Sequence, residues 1–344
     1  MNFTDYLLSK KKNIHDEVEL ALTTWKKKTD RQSSHLKRLT KLLVNSNKEG
    51  KHIRGALVCL GYELVSQQQM KDLYKVSAGY EIMHTALLIH DDIMDKSATR
   101  RGRPTLYRAL GGNHYGMSQA ISLGDAGFFL AIDMLNRSRI PEKRKATVLS
   151  FFFEIILQTI NGQMLDIALA HKLAAFSEKD VLKIAQYKTA YYTLVGPLVI
   201  GALLAGAGKR SIERLTSFGE HLGIAFQLQD DLLGIFGDEN ILGKSTSSDI
   251  EEGKNTLLFI NAFMNATDEQ KTFLMNTYGN GTISKKQQQT IQDIFLATGA
   301  RDLVTQKILH HAKKAEGMIT SITKKREQQQ LLETFIAFLT SRNI

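Results

Sequence analysis

The chain has 344 residues, 43% of them hydrophobic and 23% charged, a balance that excludes disorder and collagen and leaves material for one large core. Three prolines, Pro104, Pro141 and Pro197, suit long uninterrupted helices, while the lone Cys59 rules out an intramolecular disulfide or a cysteine metal cluster. Lys and Arg outnumber Asp and Glu by 45 to 35, and the net charge of +10 draws phosphate-bearing ligands, anionic lipid or nucleic acid without choosing among them.

Apolar residues recur at three- and four-residue intervals over about 36–66, 76–95, 117–136, 145–170, 178–207 and 212–233, the period of a helix. Two of these runs, around "SFFFEIILQTINGQMLDIALA" and "TLVGPLVIGALLAGAG", are apolar nearly all round and predict helices buried inside a large bundle. Met83, Phe128, Phe129, Phe151, Phe152 and Phe153 are expected to fill its core or a tunnel wall. Glycine and charge punctuate the joints, as in "NKEG", "RRGRP" and "GDENILGKSTSSDIEEGKN", and none resembles an interdomain linker. The polar last third, with "SKKQQQ" and "KKREQQQ", predicts covering helices, and the lysine runs at 10–12, 26–28 and 324–326 predict solvated surface. The expectation is an all-α fold, one helical domain over 1–344. A single cysteine, the absence of ~18 consecutive apolar residues and an N-terminus without signal-peptide order predict a soluble, cytoplasmic protein.

The run at 76–95 ends in Asp91, Asp92 and Asp95. Asp91 and Asp95 lie one turn apart on one helix face, where like charges repel unless a cation or basic partner neutralises them. Oxygen ligands with nothing softer nearby suit Mg²⁺, which takes one or two carboxylates and completes its shell with water and phosphate. Alone, this pattern reads better as a solvated acidic helix end whose following basic residues form surface ion pairs. A second apolar run, "AFQLQDDLLG", drives into Asp230 and Asp231, and two such pairs point to facing metal-binding helices around a polyanion. Basic residues accompany both: Arg100 and Arg101 after the first, Lys244 and Lys254 after the second, Lys51 and Arg54 in "GKHIRGA".

These motifs, in their order and separation, with RRG after the first and GK…D…GKNT after the second, resemble the trans-polyprenyl diphosphate synthases over nearly the whole chain. The resemblance implies an isoprenoid-synthase helical bundle with a central active-site cavity, three Mg²⁺ ions and a homodimer. It implies Asp91 and Asp95 as ligands of two ions on an allylic prenyl diphosphate, supported by Asp92, and Asp230 as ligand of the third, with Asp231 nearby. It implies isopentenyl diphosphate on Lys51, Arg54, His84 and Arg101, and the allylic diphosphate on Arg100, Lys188, Thr189, Gln227, Lys244 and Lys254. Gln163 and Asp166 in "NGQMLD" match a pattern on a facing helix. Outside that context, His84 reads as a hydrogen-bonded core histidine. Two departures stand out: His52 and Gly55 replace a usual basic residue and a common proline, and Gly234 replaces the last aspartate of the second motif.

The implied reaction is ionisation, condensation and elimination. Ala86 and Leu87, five and four positions before Asp91, would line the product tunnel; in the resembling family a large aromatic at either position stops growth at the farnesyl stage, and as neither is aromatic here the resemblance implies geranylgeranyl diphosphate or longer. A terpene cyclase is a rival reading, disfavoured because it needs no second diphosphate pocket. A non-catalytic partner subunit is another, disfavoured by intact carboxylate pairs. Nucleic-acid binding is not expected, because the basic residues gather around acidic clusters; weak membrane-surface association through the product is.

Overall fold

Asn2 caps the first helix by accepting the Asp5 N–H at 2.9 Å, and α1 then runs over Phe3–Asp30. Phe3, Leu7, Ile14, Val18 and Leu22 form its buried stripe at helical spacing. The computed structural model describes residues 1–170, 177–238 and 246–340. Among them the only strands are Thr99–Arg100 and Arg103–Pro104, a two-residue antiparallel hairpin. The all-α expectation holds. Tertiary contacts divide the chain into two compact units, Met1–Phe152 with Pro197–Ile212, and Phe153–Gly196 with Glu213–Ile344.

In the first unit α1 is followed by α2 (Ser34–Ser46), α3 (Ile53–Val65), α4 (Leu73–Met94), α5 (Leu106–Ala109) and α6 (His114–Asn136). α7 (Glu142–Ala170) begins here, and α9 (Gly196–Leu204) returns to it. The continuous helix expected over 36–66 is therefore two helices. The break falls at "NKEGKH", where His52 turns left-handed (φ 51°) before α3 starts. α3 and α9 cross on two glycines: a Cβ on Gly61 would lie 2.0 Å from the Leu198 carbonyl oxygen, and one on Gly201 2.0 Å from that of Val58. No larger residue permits that approach. Tyr80 of α4 meets Phe152 edge-on at 6.1 Å in the core. Lys10 corrects the solvated reading of its run, since its ammonium pairs with Glu63 at 2.5 Å and lies over the Tyr6 ring.

In the second unit α8 (Glu178–Ile184) opens with a Ser177–Asp180 capping box. The chain then winds as a π-helix over Ala185–Val195, where an ordinary helix was expected. Pro197 has no N–H to extend that ladder and sits where α-helical winding resumes. α10 (Lys209–Phe236) is the central helix, followed by α11 (Ser248–Glu251), α12 (Leu257–Asn265), α13 (Asp268–Thr277), α14 (Lys285–Ala297), α15 (Ala300–Ile322) and α16 (Arg326–Thr340). Leu228 and Leu232 of α10 pack in one core with Phe259, Tyr278 and Phe295. The polar C-terminal third forms amphipathic helices as expected; α16 buries Leu331, Leu332, Phe335, Ile336 and Leu339.

The apolar residues of α6 and the all-round apolar run of α7 are not fully buried. Phe129 is 72% exposed and Phe153 45%, so neither fills the core expected of it, whereas Met83 and Phe152 do. The stretch Glu142–Leu169 is long and apolar enough to cross a membrane by length and composition alone, with 28% of its most apolar window buried. Periodicity registers apolar surface without telling whether this chain or another covers it.

Asp72, at the start of α4, accepts Arg139 through the backbone N–H (2.6 Å), Nε (3.1 Å) and Nη2 (2.6 Å). The Arg139 hydrogen bonds and charge hold its carboxyl down at about 2. A lowered carboxyl stabilises the fold above its unfolded value of about 4 and stops doing so as pH falls through the folded one. Asp72→Asn should cost about 1–2 kcal/mol at pH 7, the exposed guanidinium tempering the loss. The gap to wild type should close between pH 4 and 2, as read from melting curves across that range.

Candidate active site

In the first unit α4 brings two chemistries onto one rod. His84 and Asp91 are seven residues apart, about 10 Å along the axis. At the far end Asp92 is almost fully buried and held by Arg100, whose Nε and Nη2 each lie 2.6 Å from Oδ1. The same guanidinium stands 3.7 Å from Asp91 Oδ2. Asp92 is thus paired with Arg100, while Asp91 and Asp95 end the helix one turn apart; the Asp95 N–H closes the last turn on the Asp91 carbonyl at 2.8 Å.

The RRG motif is the hairpin itself. Thr99 pairs with Pro104 and Arg100 with Arg103, leaving Arg101 and Gly102 as the turn, both left-handed at φ 53° and 72°. Two positive φ values define the turn that matches strand twist, and only the glycine adopts them without strain. Arg100 is thereby directed to the aspartates, and Arg101 to the Glu49 carbonyl beside Lys51. At the start of α3, Arg54 Nη1 lies 3.1 Å from His84 Nε2. Burial and the charges of Arg54, Arg101 and Arg100 hold His84 well below its ordinary value, so it is a neutral ring whose Nε2 accepts from Arg54. Arg54, His84 and Arg101 therefore gather as a cationic group, with exposed Lys51 preceding it. Ala86 is fully buried with its Cβ 3.0 Å from where a Cβ on Gly127 of α6 would stand; Leu87 is half-buried.

In the second unit Lys188 and Thr189 ride on the π-helix. Lys188 Nζ donates to Asp166 Oδ2 at 2.6 Å, and Thr189 donates to Gln227 Oε1 at 2.5 Å. Gln227 Nε2 then donates to Asp231 Oδ1 at 2.7 Å. The chain of donors runs toward Asp231 and leaves the Thr189 oxygen as its negative end. Gln163 Nε2 is buried and meets no acceptor among the described residues. Burial, then the nearby Asp249 and Asp230, push Asp231 up to about 7 against the pull of Gln227. Lys254 Nζ pairs with Asp249 Oδ1 at 2.8 Å. Lys244 lies outside the described residues.

Three functional positions escape a sequence reading. Asp249, in the middle of GK…D…GKN, is buried, and a Cβ on Gly234 would lie 2.1 Å from its Oδ2; its carboxylate occupies the space left by the missing last aspartate. Gly162, inside "NGQMLD", lets α7 touch the π-helix, since a Cβ there would fall 2.3 Å from the Lys188 nitrogen. Glu81 accepts the Gly55 N–H at 2.7 Å under the Lys51/Arg54 segment. The GK…D…GKN spacing signals the first of these; the other two depend on approach distances that no spacing carries.

A model of the polyprenyl synthetase family matches residues 35–295. The chain belongs to that family. A geranylgeranyl diphosphate synthase of Sulfolobus acidocaldarius is 33% identical over 247 residues, 71% of this polyprenyl synthetase and 72% of the relative. A (2E,6E)-farnesyl diphosphate synthase of Mycobacterium tuberculosis is 30% identical over 280 residues, 80% and 75% of the two chains. The structure of a Corynebacterium glutamicum geranylgeranyl pyrophosphate synthase with isoprenyl diphosphate and magnesium superposes with a TM-score of 0.92 at 29% identity over the whole of both chains. This polyprenyl synthetase is an enzyme, a trans-prenyltransferase.

The donors fit magnesium. Asp91, Asp95, Asp230 and Asp231 offer hard oxygens, and no group of three or more His, Cys, Asp or Glu among the described residues forms a closed cage. Such sparse sites suit an ion that keeps water and phosphate in its shell. Gly162→Ala should lower turnover at least tenfold by displacing Lys188 and Thr189. Gly317→Ala, at a helix position with nothing within 4 Å, should leave turnover unchanged and raise stability by about 0.5–1 kcal/mol. Steady-state rates and melting temperatures of the two variants measure both effects.

Proposed function

We propose that this prenyltransferase condenses isopentenyl diphosphate with an allylic prenyl diphosphate and releases geranylgeranyl diphosphate or a longer product. One observation carries this assignment: α4 sets His84 beside the cations Arg54 of α3 and Arg101 of the hairpin turn and, two turns on, ends in the carboxylates Asp91 and Asp95. A diphosphate suits the first, and a metal-bound diphosphate suits the second. An enzyme that only ionises one prenyl diphosphate has no use for the first group, which disfavours a cyclase.

Magnesium is the family's metal, and we assign three ions, two to Asp91 and Asp95 and one to Asp230. Bound there, they supply positive charge for the departing diphosphate. Arg100, Lys188 and Lys254 add fixed cations to the same developing charge, with Lys244 in that role by resemblance. Thr189, its proton given to Gln227, turns oxygen lone pairs toward an allylic cation, and Asp231 polarises that chain from the other end. Lys51, Arg54, His84 and Arg101 hold isopentenyl diphosphate so that its double bond attacks at short range. The final proton leaves for the released diphosphate.

Leu87 and Ala86 precede Asp91 by about a turn and are small or aliphatic, which favours growth to C20 and beyond. We assign a second copy of the chain to the exposed apolar faces, Tyr115, Ile121 and Phe129 on α6 and Leu157, Ile160 and Met164 on α7, because patches of this kind mark interfaces. The enzyme is placed in the cytoplasm, with its product's tail drawing it to membrane surfaces.

Purified protein with magnesium, isopentenyl diphosphate and a C5, C10 or C15 allylic primer should form C20 or longer products by chromatography. Release of hydrocarbon without isopentenyl diphosphate would defeat the assignment. Asp91→Ala and Asp230→Ala should each abolish turnover, and Leu87→Phe should shorten the product. Sedimentation should show a dimer that Phe129→Asp splits.

A further inference from the structure

α3 begins without a cap of its own. His52 occupies the capping position in left-handed conformation (φ 51°, ψ 38°), and its side chain bonds none of the helix N–H groups. The third residue of the helix, Gly55, instead gives its N–H to Glu81 Oε1 of α4 at 2.7 Å. A carboxylate at a helix N-terminus satisfies an orphan donor and meets the positive end of the dipole. Proline at 55 has no N–H to give, and a Cβ there already meets Ile14, Ser77 and Glu81 at 3.1–3.2 Å. Glu81 Oε2 also faces His52 Nδ1 at 3.4 Å, and His52 Nε2 faces His15 Nδ1 of α1 at 3.3 Å. Beyond His15, Glu19 Oε1 lies 3.9 Å from its Nε2. Glu81 and His52 are both buried.

We propose that Glu81, acting through Gly55 and His52, is the positioning residue that fixes Lys51 and Arg54 for the isopentenyl diphosphate, and that the His15–His52 contact makes this fixing depend on pH. The inference rests on the substrate assignment above. Lys51 and Arg54 flank His52, so any turn of that residue out of its left-handed state redirects both. Holding a non-glycine residue there is strained, and the Glu81 contacts must offset that strain.

Charge supports the arrangement. Burial alone would push the Glu81 carboxyl up, but the His52 hydrogen bond and charge, the Gly55 N–H and the Arg54 guanidinium hold it below the ordinary range. Glu81 therefore stays anionic at neutral pH. The histidine pair accommodates one proton between facing nitrogens: with His15 Nδ1–H donating to His52 Nε2, His52 Nδ1–H is free to donate to Glu81. Two imidazolium rings would set N–H against N–H and push apart. The charged groups around His52 are Glu81 on α4, His15 with Glu19 behind it on α1, Arg54 on α3, the adjacent Lys51 and Arg101 at the hairpin tip. All of the cations among them oppose a second proton. A second proton, when acid drives it onto the pair, therefore opens the contact and loosens the segment.

The test is KM for each substrate as a function of pH. Glu81→Gln should raise KM for isopentenyl diphosphate about tenfold, with kcat and the allylic KM changed less than about twofold. His52→Gln keeps a donor for Glu81 and an acceptor for His15 but cannot take a proton. The ratio of the wild-type KM for isopentenyl diphosphate to that of His52→Gln should rise severalfold from pH 8 to pH 5.5, and taking the ratio cancels protonation of the substrate itself. A flat ratio, or Glu81→Gln raising both KM values alike, overturns the proposal. Should Glu81→Gln fail to fold by circular dichroism, the His52→Gln ratio decides alone. Lys51→Ala distinguishes the underlying assignment: if it leaves KM for isopentenyl diphosphate unchanged, the substrate site is wrong, whereas a raised KM there beside a flat ratio rejects Glu81 and His52 only.

Discussion

A buried aspartate on an apolar helix is tolerable only with a cation against it, and in the first unit that cation is Arg100. Its bonds to Asp92 decide the rest of the end of α4. They tie the hairpin 99–104 to the helix, and with Arg100 fixed, the two-residue turn sends the next arginine the other way. The pair of neighbouring arginines is thereby divided between two tasks. The aspartates differ too: Arg100 lies closest to Asp92 and farther from Asp91, and Asp91 and Asp95 end the helix one turn apart with hard oxygens of the kind that suits magnesium.

The second unit reaches a similar end by different means. Asp231 is raised by burial and by two neighbouring carboxylates, and Lys254, shared with Asp249 and Glu252, brings positive charge beside it. Gathered carboxylates suit a divalent ion, because the ion delivers two charges in one small volume. Tyr278 gives its hydroxyl to the Lys254 carbonyl at 2.6 Å, anchoring that lysine to the core through the stack of Tyr278 on Phe259. Core packing and site electrostatics meet in one ring.

Motif spacing made much of this legible. The helix runs at 76–95, 117–136 and 212–233 correspond to α4, α6 and α10, and the first aspartate cluster and the RRG after it come together at one end of α4. Other features were not legible. α1 hides its stripe among lysines, because Phe3, Leu7, Ile14, Val18 and Leu22 are diluted by charged neighbours that face away. The π-winding of 185–195 leaves no mark in composition, since it changes the hydrogen-bond ladder and not the residues. Phe129 and Phe153 show the converse: an apolar period carries no information on burial, and both rings stand exposed in the described fold.

The departures from the family pattern follow one physical rule. At Gly55 a usual proline is absent, and the restored N–H is taken up by Glu81. At Gly234 a usual carboxylate is absent, and Asp249, part of the GK…D…GKN pattern itself, brings its Oδ2 to 2.1 Å from where a Cβ on Gly234 would lie. In each case the changed position is met within hydrogen-bonding or van der Waals reach. A residue-by-residue match counts these positions as losses; an atom-by-atom one finds the N–H satisfied and the volume taken. Tolerance of a motif change therefore turns on whether a neighbour can contribute the missing group without crossing backbone, and glycine, which brings no side chain of its own, is the residue that leaves room for it.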